Sequence, residues 1–372
     1  MPRYLLQFAL SDTPLQCARA LLQSFVAVLS CAAVGGVVFL PAEVHRLEDH
    51  PSHSILGYGI CGESRYGVAL VRTLPSHTDV GLRLRLFAQD FPMRRHREIA
   101  LPREMRPVCM ATSDARGIVF LGDENGTVSG VDVRLAVGAG AIGRHLRGTP
   151  HAMSLSSDGR TLMSIDREAI YAWDIPRWNL RWCRFSAAAT CIEIAPQGQS
   201  VICQVSEETH LRIIELDGET GDLRCELPGG NQPVHDIAIS PDCRSALGIG
   251  FGGTLFVWRR ETPSAAWQLR SMPHMRSGFV CVTASFSPDS RLLVMGDEDD
   301  RGVTIWNVVS GELVRRLDAG DDYTLGARFL NDRQVITWSS DGRTCLWQWE
   351  DGTLLWSERV PPVISASPRD AA

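Results

Sequence analysis

Gly138-Ala139-Gly140-Ala141-Ile142-Gly143 has the spacing of a dinucleotide cradle, in which glycines let a turn approach a pyrophosphate at a helix N-terminus. That chemistry needs a helix opening at the third glycine. Here IGRHLRG runs only briefly before Pro150, so the segment reads as a loop joining two strands. His50 and His53 flank Pro51-Ser52 and bring two imidazoles together, but a zinc site needs three or four ligands and nothing nearby completes the set. The pair therefore reads as a surface loop. No Gly-x-Ser-x-Gly, His-Glu-x-x-His or P-loop motif occurs. All 37 basic residues are arginine, which excludes Schiff-base, pyridoxal and P-loop lysine chemistry. The 11 cysteines are scattered without a Cys-x-x-Cys, and Cys61, Cys109, Cys191 and Cys281 fall in apolar runs, where thiols act as small core hydrophobes in a reducing compartment. Asn125-Gly126-Thr127 matches a glycosylation sequon but also makes a tight hairpin turn. No catalytic residue, cofactor or metal is expected.

The acids are more informative. Asp297, Glu298, Asp299 and Asp300 run consecutively, Asp318, Asp321 and Asp322 follow shortly after, and Asp123-Glu124, Asp166-Arg167-Glu168, Glu207-Glu208 and Asp341 recur between apolar segments. A tight turn needs one aspartate, not four acids in a row. These acids read either as solvated turns or as a surface that focuses negative potential on a basic protein or peptide. The net charge of −6 and pI near 5.9 argue against a nucleic-acid partner. The basic run MRRHRE at 93–98 lacks interleaved aromatics and reads as a solvated strand.

The elements that would position these acids recur. Phe87, Val131, Trp173, Ile214, Trp258, Trp306 and Trp347 each end an apolar strand, at intervals of 41 to 48 residues. A self-similar period of this length signals blades of a propeller. Before each marked strand comes an alternating run closed by a turn, as in ASFSPDSR (284–291), IAISPDCR (237–244), MSLSSDGR (153–160) and IEIAPQGQ (192–199), then a second strand. After it comes a polar turn and a last strand such as LVRRL. Four short strands form one antiparallel sheet per period. Trp178, Trp182, Trp338, Trp349 and Trp356 read as sheet-packing residues.

These residues resemble the WD40-repeat family over roughly residues 52–360. Trp173-Asp174 is the literal dipeptide; elsewhere it has drifted to Val131-Asp132, Ile214-Glu215, Trp258-Arg259, Trp306-Asn307 and Trp347-Gln348. The family's Gly-His before the first strand is missing, with Gly148-Thr149-Pro150-His151 as the nearest echo, so its network of His, Ser/Thr, Trp and Asp is expected to be mostly broken. The resemblance implies an all-β propeller of four-stranded antiparallel blades. Seven are expected, and an eighth is open if residues 4–48 form an extra sheet. It also implies a non-catalytic scaffold in a multiprotein complex, with partners on the face formed by the second-to-third-strand loops and the blade-to-blade loops. The inner strands CMATS, MSLSS, IEIAP, IAISP and ASFSP read as small and apolar, which weighs against an enzyme in the central channel.

The chain divides into an apolar segment (1–42), a propeller (43–360) and a disordered tail (361–372). Residues 20–42 carry no charge and read as propeller strands, a packing helix, a membrane anchor or a cleaved signal. The expected location is the cytoplasm, with the nucleus open and a tethered or exported propeller as the other reading.

Overall fold

A computed structural model describes the chain between residues 55 and 359, except the stretches 62–65, 74–80, 89–96, 114–115, 186–188, 208–209, 251–253, 271–280, 298–301, 319–323 and 340–342 and a few single positions. The expectations for residues 1–42, the possible eighth sheet, His50, His53 and the tail lie outside the described residues.

The described residues form seven four-stranded antiparallel sheets and no helix. Each sheet takes its strands in chain order, from an inner first strand to an outer fourth. Blade one runs from Ile55–Cys61 to Arg97–Ala100, blade two from Pro107–Ser113 to Val137–Arg144, and blade three from Ala152–Leu155 to Asn179–Phe185. Blade four runs from Ala189–Ile194 to Leu223–Leu227, and blade five from Val234–Ile239 to Gln268–Arg270. Blade six comprises Cys281–Phe286, Leu292–Asp297, Gly302–Asn307 and Leu313–Asp318; blade seven runs from Thr324–Phe329 to Thr353–Arg359. Among these residues no helix is long and apolar enough to cross a membrane.

The Ser-x-Asp turns close the first two strands with side chains as well as backbone. Ser156, Ser240 and Ser287 each donate their hydroxyl to the aspartate two residues on, at 2.6 Å. Each aspartate accepts the amide two residues further, from Arg160, Arg244 and Arg291. This satisfies polar groups that a tight turn would otherwise leave unpaired.

Strands alternate faces, so each sheet presents apolar residues to both neighbours. One cluster fills each space between consecutive blades from two to seven. The marker aromatics point toward the preceding blade: Trp173 lies in the core shared with blade two, Trp258 with blade four, Trp306 with blade five and Trp347 with blade six. A sheet buried only against its neighbours depends on these aromatics for stability. Trp178 and Trp182 pack beside the same clusters, and Trp338 is buried.

Two sequence readings are corrected. Blade four's marker is Leu216, not Ile214. The residue after each marker opens the turn to the outer strand: Asp217 Oδ1 accepts the amides of Glu219 and Thr220 as Asn307 Oδ1 accepts those of Val309 and Ser310. Gly221 N likewise donates to Asp217 O as Gly311 N does to Asn307 O. Ile214 lies two residues earlier on the same face and is also buried, and a period of two cannot separate them in sequence. The glycine-rich segment is not a loop but the outer strand of blade two, Val137–Arg144, with register shifts beside it. Its Gly143 lies against the Trp173 ring of blade three, where a Cβ would overlap the indole. Close approach of a neighbouring sheet, not a phosphate, explains that glycine.

Candidate functional site

The ends of the sheets where second strands turn into third strands also carry the connections between blades. The structure brings two of the expected binding acids to one row there. In blade six Asp297 pairs with Gly302, and Gly302 pairs with Asp318, so the two aspartates flank a residue with no side chain. Asp318 is exposed. Glu298, Asp299, Asp300, Asp321, Asp322, Glu208 and Asp341 lie outside the described residues.

Other acids of the expected face serve the fold. Asp123 is buried, and its carboxylate accepts the Arg106 amide at 2.6 Å and both the amide and side-chain nitrogen of Asn125 at 2.8 Å. That leaves Glu124, exposed and 4.0 Å from Arg106, as the outward acid of the blade-two turn. Asp166 is fully buried. Its Oδ1 accepts the amides of Glu168 and Ala169, and its Oδ2 meets His145 Nδ1 and the Tyr171 hydroxyl, each at 3.0 Å.

His145 was missed in the sequence. It lies in the connection from blade two to blade three, ahead of the His151 that was read as the nearest echo. Its Nε2 meets Ser164 Oγ at 2.7 Å, and that oxygen also accepts Trp173 Nε1–H at 2.7 Å. Blade three therefore holds one complete network of Asp, His, Ser and Trp, in a chain whose networks were expected to be mostly broken. The signal was the Ser164–Trp173 spacing across paired strands, not the Gly-His dipeptide. Burial holds His145 below the ordinary imidazole range despite the Asp166 carboxylate. Burial alone would raise Asp166, but its bonds from Glu168, His145 and Tyr171 hold it below the carboxylate range. Burial, with the neighbouring carboxylate, pushes the Tyr171 hydroxyl up to about 12. Aspartate, histidine and serine are the ingredients of a hydrolytic triad, but here Ser164 is fully buried and its oxygen is held by an indole. The group is a staple and not a nucleophile.

A second staple joins blades four and five. Glu215, next to the marker, is buried and accepts Arg260 Nη1 at 3.0 Å and Trp267 Nε1 at 2.7 Å. The Arg260 guanidinium lies 3.9 Å from the centre of the Trp267 ring.

The inner strands are more polar than their sequences suggested. Glu193 on blade four is fully buried, and its Oε2 accepts the Ser154 hydroxyl of blade three at 2.8 Å. Asp236 on blade five is also buried, and Arg328 lies on the inner strand of blade seven. One acid within IEIAP was overlooked beside its apolar neighbours. Among the described residues no group of three or more His, Cys, Asp or Glu converges as a metal site requires. Cys109 and Cys203 are buried free thiols that burial pushes far above the ordinary thiol range.

No family model matches the chain. It is 33% identical over 151 residues to a guanine nucleotide-binding protein subunit beta of Dictyostelium discoideum, covering 39% of this chain and 42% of that protein. It is 21% identical over 172 residues to the human (Homo sapiens) pre-mRNA-processing factor 17, covering 45% and 28%. It is 30% identical over 132 residues to jouberin of Rattus norvegicus, covering 34% and 12%. The matches span less than half the length of each of these relatives. Among solved structures it is similar in fold to hydrazine synthase of Kuenenia stuttgartiensis, with a TM-score of 0.52 at 14% identity over 71% of this chain and 80% of that one. The four-stranded sheets in chain order, the indole and its neighbours at the third strand, and these relatives make the chain similar to a divergent WD40-repeat β-propeller.

Proposed function

We propose that the chain is a non-catalytic scaffold that presents the loop-bearing ends of its blades to a basic protein or peptide within a multiprotein complex. The observation that carries this reading is the pairing of Asp297 and Asp318 across Gly302, which places two aspartates at the end of blade six that bears the acidic loop 298–301. Like charges held on a stiff sheet attract an opposite charge without reorganising, so binding there costs little ordering. The Dictyostelium relative is by name a subunit, which agrees with a life in an assembly. A basic partner also fits the net charge of −6. Asp321 and Asp322, in the connection that follows blade six, would extend the surface, Glu124 of blade two would add to the same loop-bearing face, and the cytoplasm is the proposed location.

The test compares wild type with a variant carrying Asn or Gln at 297–300, 321 and 322, after circular dichroism shows that both fold. Affinity capture with quantitative mass spectrometry, repeated at low and high salt, reads the partners. Specific partners that vanish in the variant and weaken with salt support the reading. An unchanged partner set sinks it and leaves these acids as solvated turns.

A further inference from the structure

The residue before each marker faces the following blade. Ala172 of blade three, Val257 of blade five and Ile305 of blade six lie in the core shared with the next sheet, and Glu215 of blade four takes its partners from blade five. All four are buried. Blade seven puts Leu346 in that position, and Leu346 is only half-buried. It pairs with Ile336 on the second strand and with Trp356 on the fourth, so the three form an apolar row across the sheet. In blade three the same row is Met163, Ala172 and Trp182, and all three pack in the core shared with blade four. Trp182 also donates its indole N–H to Gly218 O of blade four at 3.1 Å.

The first strands of consecutive blades pack side by side from blade one through to blade seven. Among the described residues no strand of blade seven packs along a strand of blade one, so the described ring is open at this joint. The sequence ahead of blade one carries a sheet's worth of chain for it. Residues 43–60, EVHRLEDHPSHSILGYGI, read like 312–329, ELVRRLDAGDDYTLGARF. In that alignment Ile55 falls on Thr324, and each opens a first strand with a register shift before the glycine two residues on. Positions 44–49 then fall on Leu313–Asp318, the fourth strand of blade six. A fourth strand there belongs to a blade that precedes blade one. Blade seven already has its own, Thr353–Arg359, paired along Arg343–Gln348. Residues 4–49 span one period, and the uncharged run 20–42 suits strands buried on both faces.

We infer that the row of Ile336, Leu346 and Trp356 is the docking face for residues 4–49 of the same chain, which fold as an eighth blade between blades seven and one and close the ring. Trp356 packs on that blade as Trp182 packs on blade four. A sheet in such an array is buried only by its neighbours, so an open joint leaves the row without the cover that its counterparts have. The occupant is the chain's own segment rather than a second copy. Its length is one period, and its last strand runs into Ile55–Cys61 through a connection as long as that between Asp318 and Thr324.

Hydrogen exchange of the full chain, read by mass spectrometry of peptic fragments, tests the inference. Amides within 20–49 are expected to exchange ~100-fold or more slowly than in an unstructured peptide, as the strands of a packed blade do. Leu346→Asp sets a charge in the joint and is expected to release that protection, while blades two to five keep theirs. Should Leu346→Asp unfold blade seven itself, Trp356→Ser on the outer strand gives the same readout. Exchange of 20–49 at the unstructured rate in wild type overturns the inference and needs no variant. Protection that survives both substitutions also overturns it, and assigns the segment to a membrane anchor or to a fold apart from this joint. Sedimentation of the wild type reads the remaining occupant: a dimer with 20–49 unprotected gives the row to a second copy and overturns the inference as well.

Discussion

Replacing Trp173 and Trp306 one at a time by phenylalanine separates what an indole contributes by packing from what its N–H contributes. Both rings sit at the end of a third strand between two sheets, and both are buried. Their N–H groups differ. Trp173 Nε1 donates to Ser164 Oγ at 2.7 Å inside the His145 network, whereas Trp306 Nε1 is buried without a partner among the described residues. Full truncation of a core tryptophan costs ~3–5 kcal/mol, and the partial loss from Trp to Phe about 1–2 kcal/mol at either site. At Trp173 the lost hydrogen bond adds ~1 kcal/mol, giving about 2–3 kcal/mol in all. At Trp306 the change also removes an unsatisfied buried donor, worth about 1–3 kcal/mol in relief, so the net effect is near zero. Urea unfolding followed by circular dichroism, with agreement between independent probes checked because a repeat array can unfold in stages, reads the difference. Equal destabilisation of the two variants would refute the claim that the blade-three network adds to packing. A Trp306→Phe loss as large as that of full truncation would refute its blade register.

Two further outcomes follow from buried charge. His235 is buried on the inner strand of blade five, and desolvation lowers its pKa to about 4. A depressed folded pKa makes its contribution present above the ordinary value near 6.5 and lost as pH falls toward 4. Stability should therefore drop by about 3 kcal/mol across that window, and His235→Gln should flatten part of the slope in pH-dependent urea melts. A wild-type profile that stays flat would contradict the burial. Removing one member of the Glu215–Arg260 pair, by Arg260→Ala, should cost ~3 kcal/mol, because buried Glu215 loses its buried guanidinium partner and keeps only the more exposed Arg224 at 3.8 Å. Replacing both by apolar residues of similar volume should cost less in the same melts, and a single variant milder than the double would sink the argument.

Strand grammar was the legible part of this chain. The Ser-Pro-Asp turns and alternating runs mark each sheet because turn chemistry and a period of two are local. Ile214 and Leu216 both obey that period, and only the Asp217 turn, a contact across the hairpin, decides between them. The glycine-rich outer strand was unreadable for a similar reason, since its glycines answer to Trp173 of another blade. His145 escaped because its partners Ser164 and Asp166 are distant in sequence and meet it only after blades two and three pack. Of the acids expected to bind a partner, the pattern placed Asp297 and Asp318 at one end of blade six. It could not foresee that Asp123 and Asp166 turn inward, because acids that cap a turn and acids that face solvent look alike in sequence.

The fit of Gly143 to Trp173, of Gly221 to Trp182 and of Arg260 to Glu215 has a bearing on ancestry. Each joint is written half in one period and half in the next. An unequal crossover that duplicated or dropped a period at blade three or five would leave every strand and turn in frame, yet set an indole against a Cβ or strand a carboxylate. Recombination among these repeats is thus penalised at their junctions, and substitution within a fixed order is the course left open to the lineage.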